Sequence, residues 1–147
     1  MTAADDFWLA RSRGRVVPLD RALCLELLRA VAVGRVGYVT TEGPRILPVN
    51  YTMAEEHIVF RTLANGEMAE HVLDQRVAFE VDNVDQYSQS GWSVLVTGQC
   101  ELLTDAEMQR LLLGRIPDPW AGGPRTLFLK IATGQISGRQ VLPTGAS

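Results

Sequence analysis

Lysine is almost absent from this chain: of its 14 basic residues only one, Lys130, is not arginine. Histidine is limited to His57 and His71, and cysteine to Cys24 and Cys100. No Cys-x-x-Cys or His-x-x-x-His pair occurs, so a dedicated metal site is not expected. Two cysteines make no disulfide framework. Both lie in apolar-patterned segments and read as buried free thiols of a reducing compartment. Long apolar runs are missing as well, and nothing approaches the roughly 20 residues needed to cross a bilayer. The first residues carry Asp5, Asp6, Arg11 and Arg13 around no signal-like apolar stretch. The expectation is a soluble, cytoplasmic protein with no membrane partner. With 17 acidic residues the net charge is −3, so the basic face of a nucleic-acid binder is lacking and no such partner is expected. A local positive pocket remains open.

What is present is a chain of 147 residues with 46% hydrophobic content, the size of one domain. Such a length buries about two-thirds of the unfolded surface without staples. Residues 1–17 read as a loosely ordered arm, in which Phe7, Trp8 and Leu9 are able to dock. Pro18 and Asp20 supply a helix start, Leu23, Leu27, Leu28 and Val31 recur at helical spacing, and Gly34 stops the run. The period then changes to that of strands: Val36–Thr40, Ile46–Tyr51, His57–Thr62, Val77–Val84, Trp92–Leu103 and Thr126–Ala132. Gly98 marks a bulge or bend in the long one. A short helical segment is expected at Glu67–Leu73. Thr104 and Glu107 form a capping-box pattern ahead of a helix running to Leu113. Ile136–Val141 is a last extended piece, and residues 142–147 read as a flexible tail. Hairpin-length links between most strands imply antiparallel pairing and a small barrel or sandwich.

Few residues offer site chemistry. No Gly-x-Ser-x-Gly elbow or Walker sequence occurs, and Gly34 and Gly37 read as helix stop and strand start rather than a dinucleotide fingerprint. Trp92 and Trp120 are the aromatic residues placed to line a ligand pocket; core packing is the competing reading for Trp92. Arg61 and Thr62 end a strand just before Asn65-Gly66 and the helical segment at Glu67. That brings a guanidinium, a hydroxyl and backbone amides together, chemistry suited to a phosphate. An Arg paired with a surface carboxylate is the plainer alternative.

The blocks Gly34–Val39, Ile46–Tyr51, Val59–Thr62, Val77–Val81, Gly91–Gly98 and Ile136–Arg139 resemble the pyridoxamine 5′-phosphate oxidase-like family. The likeness is greatest to its small actinobacterial flavin-binding members, and it spans about residues 18–141. It implies a mainly β fold: a six-stranded antiparallel split barrel of Greek-key type with a few short flanking helices. It further implies a homodimer with FMN, or alternatively the deazaflavin F420, in clefts at the subunit interface, acting on an unknown small molecule. By this resemblance the strand at Arg45, Pro48, Val49 and Asn50 lies along the flavin. Arg61 and Thr62 approach the phosphate, Ser93 reaches the ring edge beside Trp92, and Met68 falls in the phosphate segment.

In one respect the chain departs from the family pattern. A lysine usually stands in the segment matching Glu67-Met68, and here an acid and a thioether replace it. A phosphate carries close to two negative charges near neutral pH. Losing one charge-assisted contact costs about 1.5–3 kcal/mol, which Arg45 and Arg61 are placed to offset. Two readings follow: a flavin- or deazaflavin-dependent oxidoreductase, or a non-catalytic binding or sensing module. No catalytic residue is assigned, His71 being an acid–base candidate only by its nearness to the phosphate segment. Oxidation of pyridoxamine phosphate itself is disfavoured by the short chain and the lack of a C-terminal Arg-x-His motif.

Overall fold

A computed structural model describes residues 2–6 and 14–143. The docking role of Phe7, Trp8 and Leu9, and most of the tail, lie outside these residues. In chain order the elements are β1 (Arg15–Leu19), α1 (Arg21–Ala30), β2 (Val33–Thr40), β3 (Gly43–Ala54), β4 (His57–Thr62), α2 (Glu67–Val72), β5 (Gln75–Asp85), β6 (Ser90–Leu102), α3 (Asp105–Leu112), β7 (Leu127–Ala132) and β8 (Gln135–Leu142). All strand pairs are antiparallel. The order β6-β5-β2-β3-β4-β7 closes on itself through a β6–β7 pairing. The expected six-stranded barrel is therefore present, with β8 and then β1 added outside β6.

Strand β6 makes closure possible because it is long enough to serve two neighbours. Along one side it pairs with β5 from Ser90 to Cys100; along the other it holds β8 from Gly91 to Thr97 and then β7 from Cys100 to Leu102. Gly98 sits at this handover. A side chain there would run into the Ala132 backbone carbonyl, so the bend expected from the sequence is a close backbone approach.

The interior follows the period-2 pattern. Val77, Phe79 and Val81 are buried while Ala78, Glu80 and Asp82 are not, as their alternation predicts. Ile58 and Phe60 join Val36, Val94, Val96, Leu129 and Ile131 in one core. Cys24 and Cys100 are both buried and free, and burial, with smaller effects from Asp74 and Glu101, pushes the Cys100 thiol up to about 12.

Five expectations are corrected. The arm does not extend to residue 17, and Pro18 does not begin the helix: Arg15–Leu19 forms β1 on β8. Proline is tolerated there because an edge strand pairs on one side only. The same pairing holds Leu142, opposite Arg15, so the tail begins later than residue 142. Helix α1 buries Cys24, Leu25 and Leu28, whereas Leu23 is exposed, so its inner face is rotated from the leucine stripe. Its N-cap is Asp20 as expected, accepting from the Leu23 N–H at 2.9 Å. Gly34 is not the helix stop. The helix ends at Ala30, Val33 already begins β2, and the Phe79 ring occupies the space a side chain at Gly34 would need.

Helix α3 starts with the predicted capping box, Thr104 and Glu107 each bonding the other's backbone N–H. The lone lysine completes this corner: Lys130 Nζ on β7 donates to both Glu107 oxygens at 2.8 Å, and the two side chains are 16% and 18% exposed. Lys130 first, and then the Thr104 N–H, hold the Glu107 carboxyl down at about 2, from an ordinary 4.5. A depressed carboxyl stabilises the fold fully above its unfolded value and loses that contribution as pH falls toward the folded one. Glu107→Gln is thus expected to cost about 2 kcal/mol at pH 7. In urea unfolding, the gap between wild type and variant should shrink progressively below pH 4.5 and nearly close at pH 2; a gap independent of pH would remove the ion pair as its cause.

Candidate functional site

The barrel is split between β3 and β4. Strand β3 pairs with β2 all the way from Gly43 to Asn50, but with β4 only from Tyr51 to Ala54. Beyond the Tyr51–Phe60 pair the two strands separate, and β4 continues against β7 alone through Arg61 and Thr62. The edge of β3 from Arg45 to Asn50 is therefore left without a strand partner on the β4 side. Its main-chain donors and acceptors are free to meet a ligand. Residues that point inward along β3 change character at the same place. Tyr51 and Val49 pack on the core, while Leu47 and Arg45 face the opening.

A cavity of about 580 Å³ fills this split. Its lining includes Arg45, Pro48, Val49, Asn50, Arg61, Thr62 and Met68, seven of the residues singled out from the sequence. Tyr38, Leu47, Leu63, Glu67, Pro119, Ala121 and Arg125 complete most of the wall. Arg61 and Thr62 alternate on β4 yet both reach the cavity, because the loop that follows α3 folds over the outer side. Arg61 holds that loop: Nε donates to the Arg125 carbonyl at 2.9 Å and Nη1 to the Pro117 carbonyl at 3.5 Å. Its guanidinium lies 5.0 Å from the centre of the Phe128 ring, directly across the β4–β7 pair. The loop is tied a second time by the Trp120 N–H, which donates to Asn50 Oδ1 at 2.9 Å.

Glu67 faces this cavity. Its Oε1 accepts from the Tyr38 hydroxyl at 3.0 Å and lies 3.6 Å from Arg45 Nε. Arg45 is held from the other side by Glu42, with Nη2 at 3.1 Å from Oε2. Burial first, and then the bond and charge of Glu67, raise the Tyr38 phenol above its ordinary value, with Arg45 opposing. Met68 is buried in the core and supplies an apolar wall rather than a polar contact. Three arginines against one carboxylate, with apolar walls from Leu47, Pro48, Leu63 and Pro119, suit an anionic ligand that carries a large apolar body.

Several predicted positions lie elsewhere. Trp92 and Ser93 do not line this cavity within one chain. They border a groove shared with Glu80, Asp82 and Arg139 on the β5–β6–β8 face, where burial and then the Asp82 charge raise the Glu80 carboxyl. The Trp120 side chain is 80% exposed. His71 is not part of the cavity wall; its Nδ1–H donates to the Glu67 carbonyl at 2.9 Å and its ring stacks near Tyr38. Segment α2 has six residues and no side-chain cap, and Gly66 and Glu67 at its start both line the cavity. Sequence reasoning missed Arg125 and the Tyr38 hydroxyl. Arg125 follows a Pro/Gly loop with no periodic signal, and Tyr38 alternates with Val36 as any core residue would.

A closed antiparallel barrel, split at one strand pair and carrying an arginine-lined cavity in the split, defines a split-barrel protein. The chain belongs to the pyridoxamine 5′-phosphate oxidase family, whose model matches residues 20–140. It is 33% identical over 115 residues to the uncharacterized protein Rv0080 of Mycobacterium tuberculosis, covering 75% of both chains. Among solved structures it is similar to the FAD binding protein of Mycobacterium smegmatis, at 25% identity and a TM-score of 0.67, covering 86% of this chain and 98% of that one. It is also similar to a Corynebacterium glutamicum protein provisionally named a pyridoxamine 5′-phosphate oxidase. That match has 26% identity and a TM-score of 0.73, over 90% of this chain and 96% of that one.

Proposed function

We propose that this protein binds a flavin nucleotide, FMN or the deazaflavin F420, in the β3–β4 split and acts as a flavin- or deazaflavin-dependent oxidoreductase on a small molecule. The observation that carries this reading is the convergence of Arg45, Pro48, Val49, Asn50, Arg61, Thr62 and Met68 on one cavity. The free edge of β3 offers alternating donors and acceptors to the pyrimidine end of a flavin ring, while Arg61, Arg125 and Thr62 are the groups to hold a phosphate. When bound, the flavin supplies the electron transfer, and the chain's own residues orient it and limit water.

A homodimer is part of the proposal. Strand register lines up Pro48, Arg35, Glu80, Leu95 and Ser137 in one row across five strands, and Ile46, Gly37, Ala78, Thr97 and Gln135 in the next. This outer face carries Ile46 and Val39 at 72% and 71% exposure, a surface that favours a second protein copy. A second copy's Trp92 and Ser93 are the residues to complete the cleft. Glu67 favours the other reading, a split-barrel module without redox chemistry, since a carboxylate among the phosphate-holding groups weakens nucleotide binding.

Light scattering after gel filtration and titration with FMN and F420 test the proposal together. A dimer that binds either compound at low micromolar concentration supports it. A monomer, or a protein that alters the absorption or fluorescence of neither compound, is evidence against it.

A further inference from the structure

We propose that Glu67 is a specificity-determining residue of the cavity, disfavouring a terminal phosphomonoester relative to a ligand whose phosphorus is doubly substituted. This rests on the flavin-binding reading above. It decides among flavin nucleotides: F420, whose ribityl phosphorus sits in a diester, and FAD, where it sits in a pyrophosphate, are favoured over FMN.

The argument starts from where the carboxylate is held. Tyr38 is 3% exposed and fixed in the core, and its hydroxyl donates to Glu67 Oε1 at 3.0 Å. Arg45 Nε lies 3.6 Å from the same oxygen, while its Nη2 serves Glu42. Glu67 thus occupies the donors that an incoming phosphate would otherwise find on this wall. Among the described residues, Arg61 and Arg125 are the cavity arginines with no carboxylate within 4.0 Å, and two Arg61 donors are committed to loop carbonyls.

A resident anion acts differently on different ligands. Its repulsion scales with the charge brought near it, whereas ring stacking and main-chain contacts are common to all flavins. A phosphomonoester carries between one and two negative charges at pH 7, close to two when bound beside arginines. A doubly substituted phosphorus, in the diester of F420 or the pyrophosphate of FAD, carries one, and the second charge of FAD sits one phosphate further away. The same carboxylate therefore penalises FMN more than FAD, and riboflavin least.

The test is a fluorescence titration of wild type and Glu67→Gln with riboflavin, FMN and FAD. The glutamine keeps an acceptor for Tyr38, and the Glu67 side chain is 52% exposed, so the fold tolerates the exchange. The substitution is expected to tighten FMN about tenfold, FAD about threefold, and riboflavin by less than about twofold. An equal factor for FMN and FAD, or none for either, overturns the assignment while leaving flavin binding intact. Failure of both proteins to bind any of the three compounds overturns the flavin reading and this inference with it.

Discussion

Gly98→Ala is expected to cost about 3–4 kcal/mol of folding stability and to lower the urea midpoint by about 2 M. The added methyl would overlap the Ala132 carbonyl oxygen and press on its carbon, with Ile131 Cγ2 only 3.4 Å away. Both sides of the clash are backbone, so no rotamer change relieves it. Strand β6 or β7 must move instead. That is the point where β6 leaves β8 and takes up β7, and the pairing it would disturb is the one that closes the barrel. Gly134→Ala is the matched control: nothing lies within 4 Å of a Cβ there, and its midpoint should move by less than about 0.3 M. Equal midpoints for the two variants would show that the handover is not a tight junction. The consequence extends to the site, because β7 carries β4, and β4 carries Arg61 and Thr62.

How much of this was legible from the residues depends on the reach of the interaction. Local alternation revealed β4 as His57–Thr62, and the in–out pattern of β5, because each strand is buried on one face and its sequence records that. The capping box at Thr104 and Glu107 is likewise a four-residue event. Strand β1 was not legible, since an edge strand with Pro18 and an exposed Val16 has little burial to pattern it. The face of α1 was misjudged because Cys24 is as good a core residue as leucine and was not counted in the stripe. At the site, the separation of β3 from β4 leaves no trace in hydropathy; it appears only when β3 is paired to β2 beyond its last contact with β4. Arg45, Arg61 and Thr62 were identified through family likeness and strand-end chemistry. Arg125 needed the loop to fold back across 64 residues to Arg61, a contact that no local pattern encodes.

Arg61→Ala is expected to weaken FMN or FAD binding roughly 10- to 100-fold, the range for losing one charge-assisted contact to phosphate. The structure sharpens how that loss must be read, because Arg61 has two duties. Nε and Nη1 hold the Arg125 and Pro117 carbonyls, which fixes the loop that brings Pro119, Ala121 and Arg125 to the cavity. The guanidinium has five N–H donors in all, so others remain for a ligand. Riboflavin separates the duties. It has no phosphate, so its affinity should fall only by the part due to a loosened loop, about two- to threefold, while FMN falls by the full factor. Arg61→Lys gives the complementary result: it keeps the charge but lacks the planar fork that spans two carbonyls, so FMN should regain part of its affinity while riboflavin stays as weak as in the alanine variant. If riboflavin and FMN lose the same factor in Arg61→Ala, Arg61 acts through the loop alone and the phosphate contact falls to Arg125 and Thr62. If neither ligand changes, the cavity does not use Arg61 at all, and its place in the site is wrong.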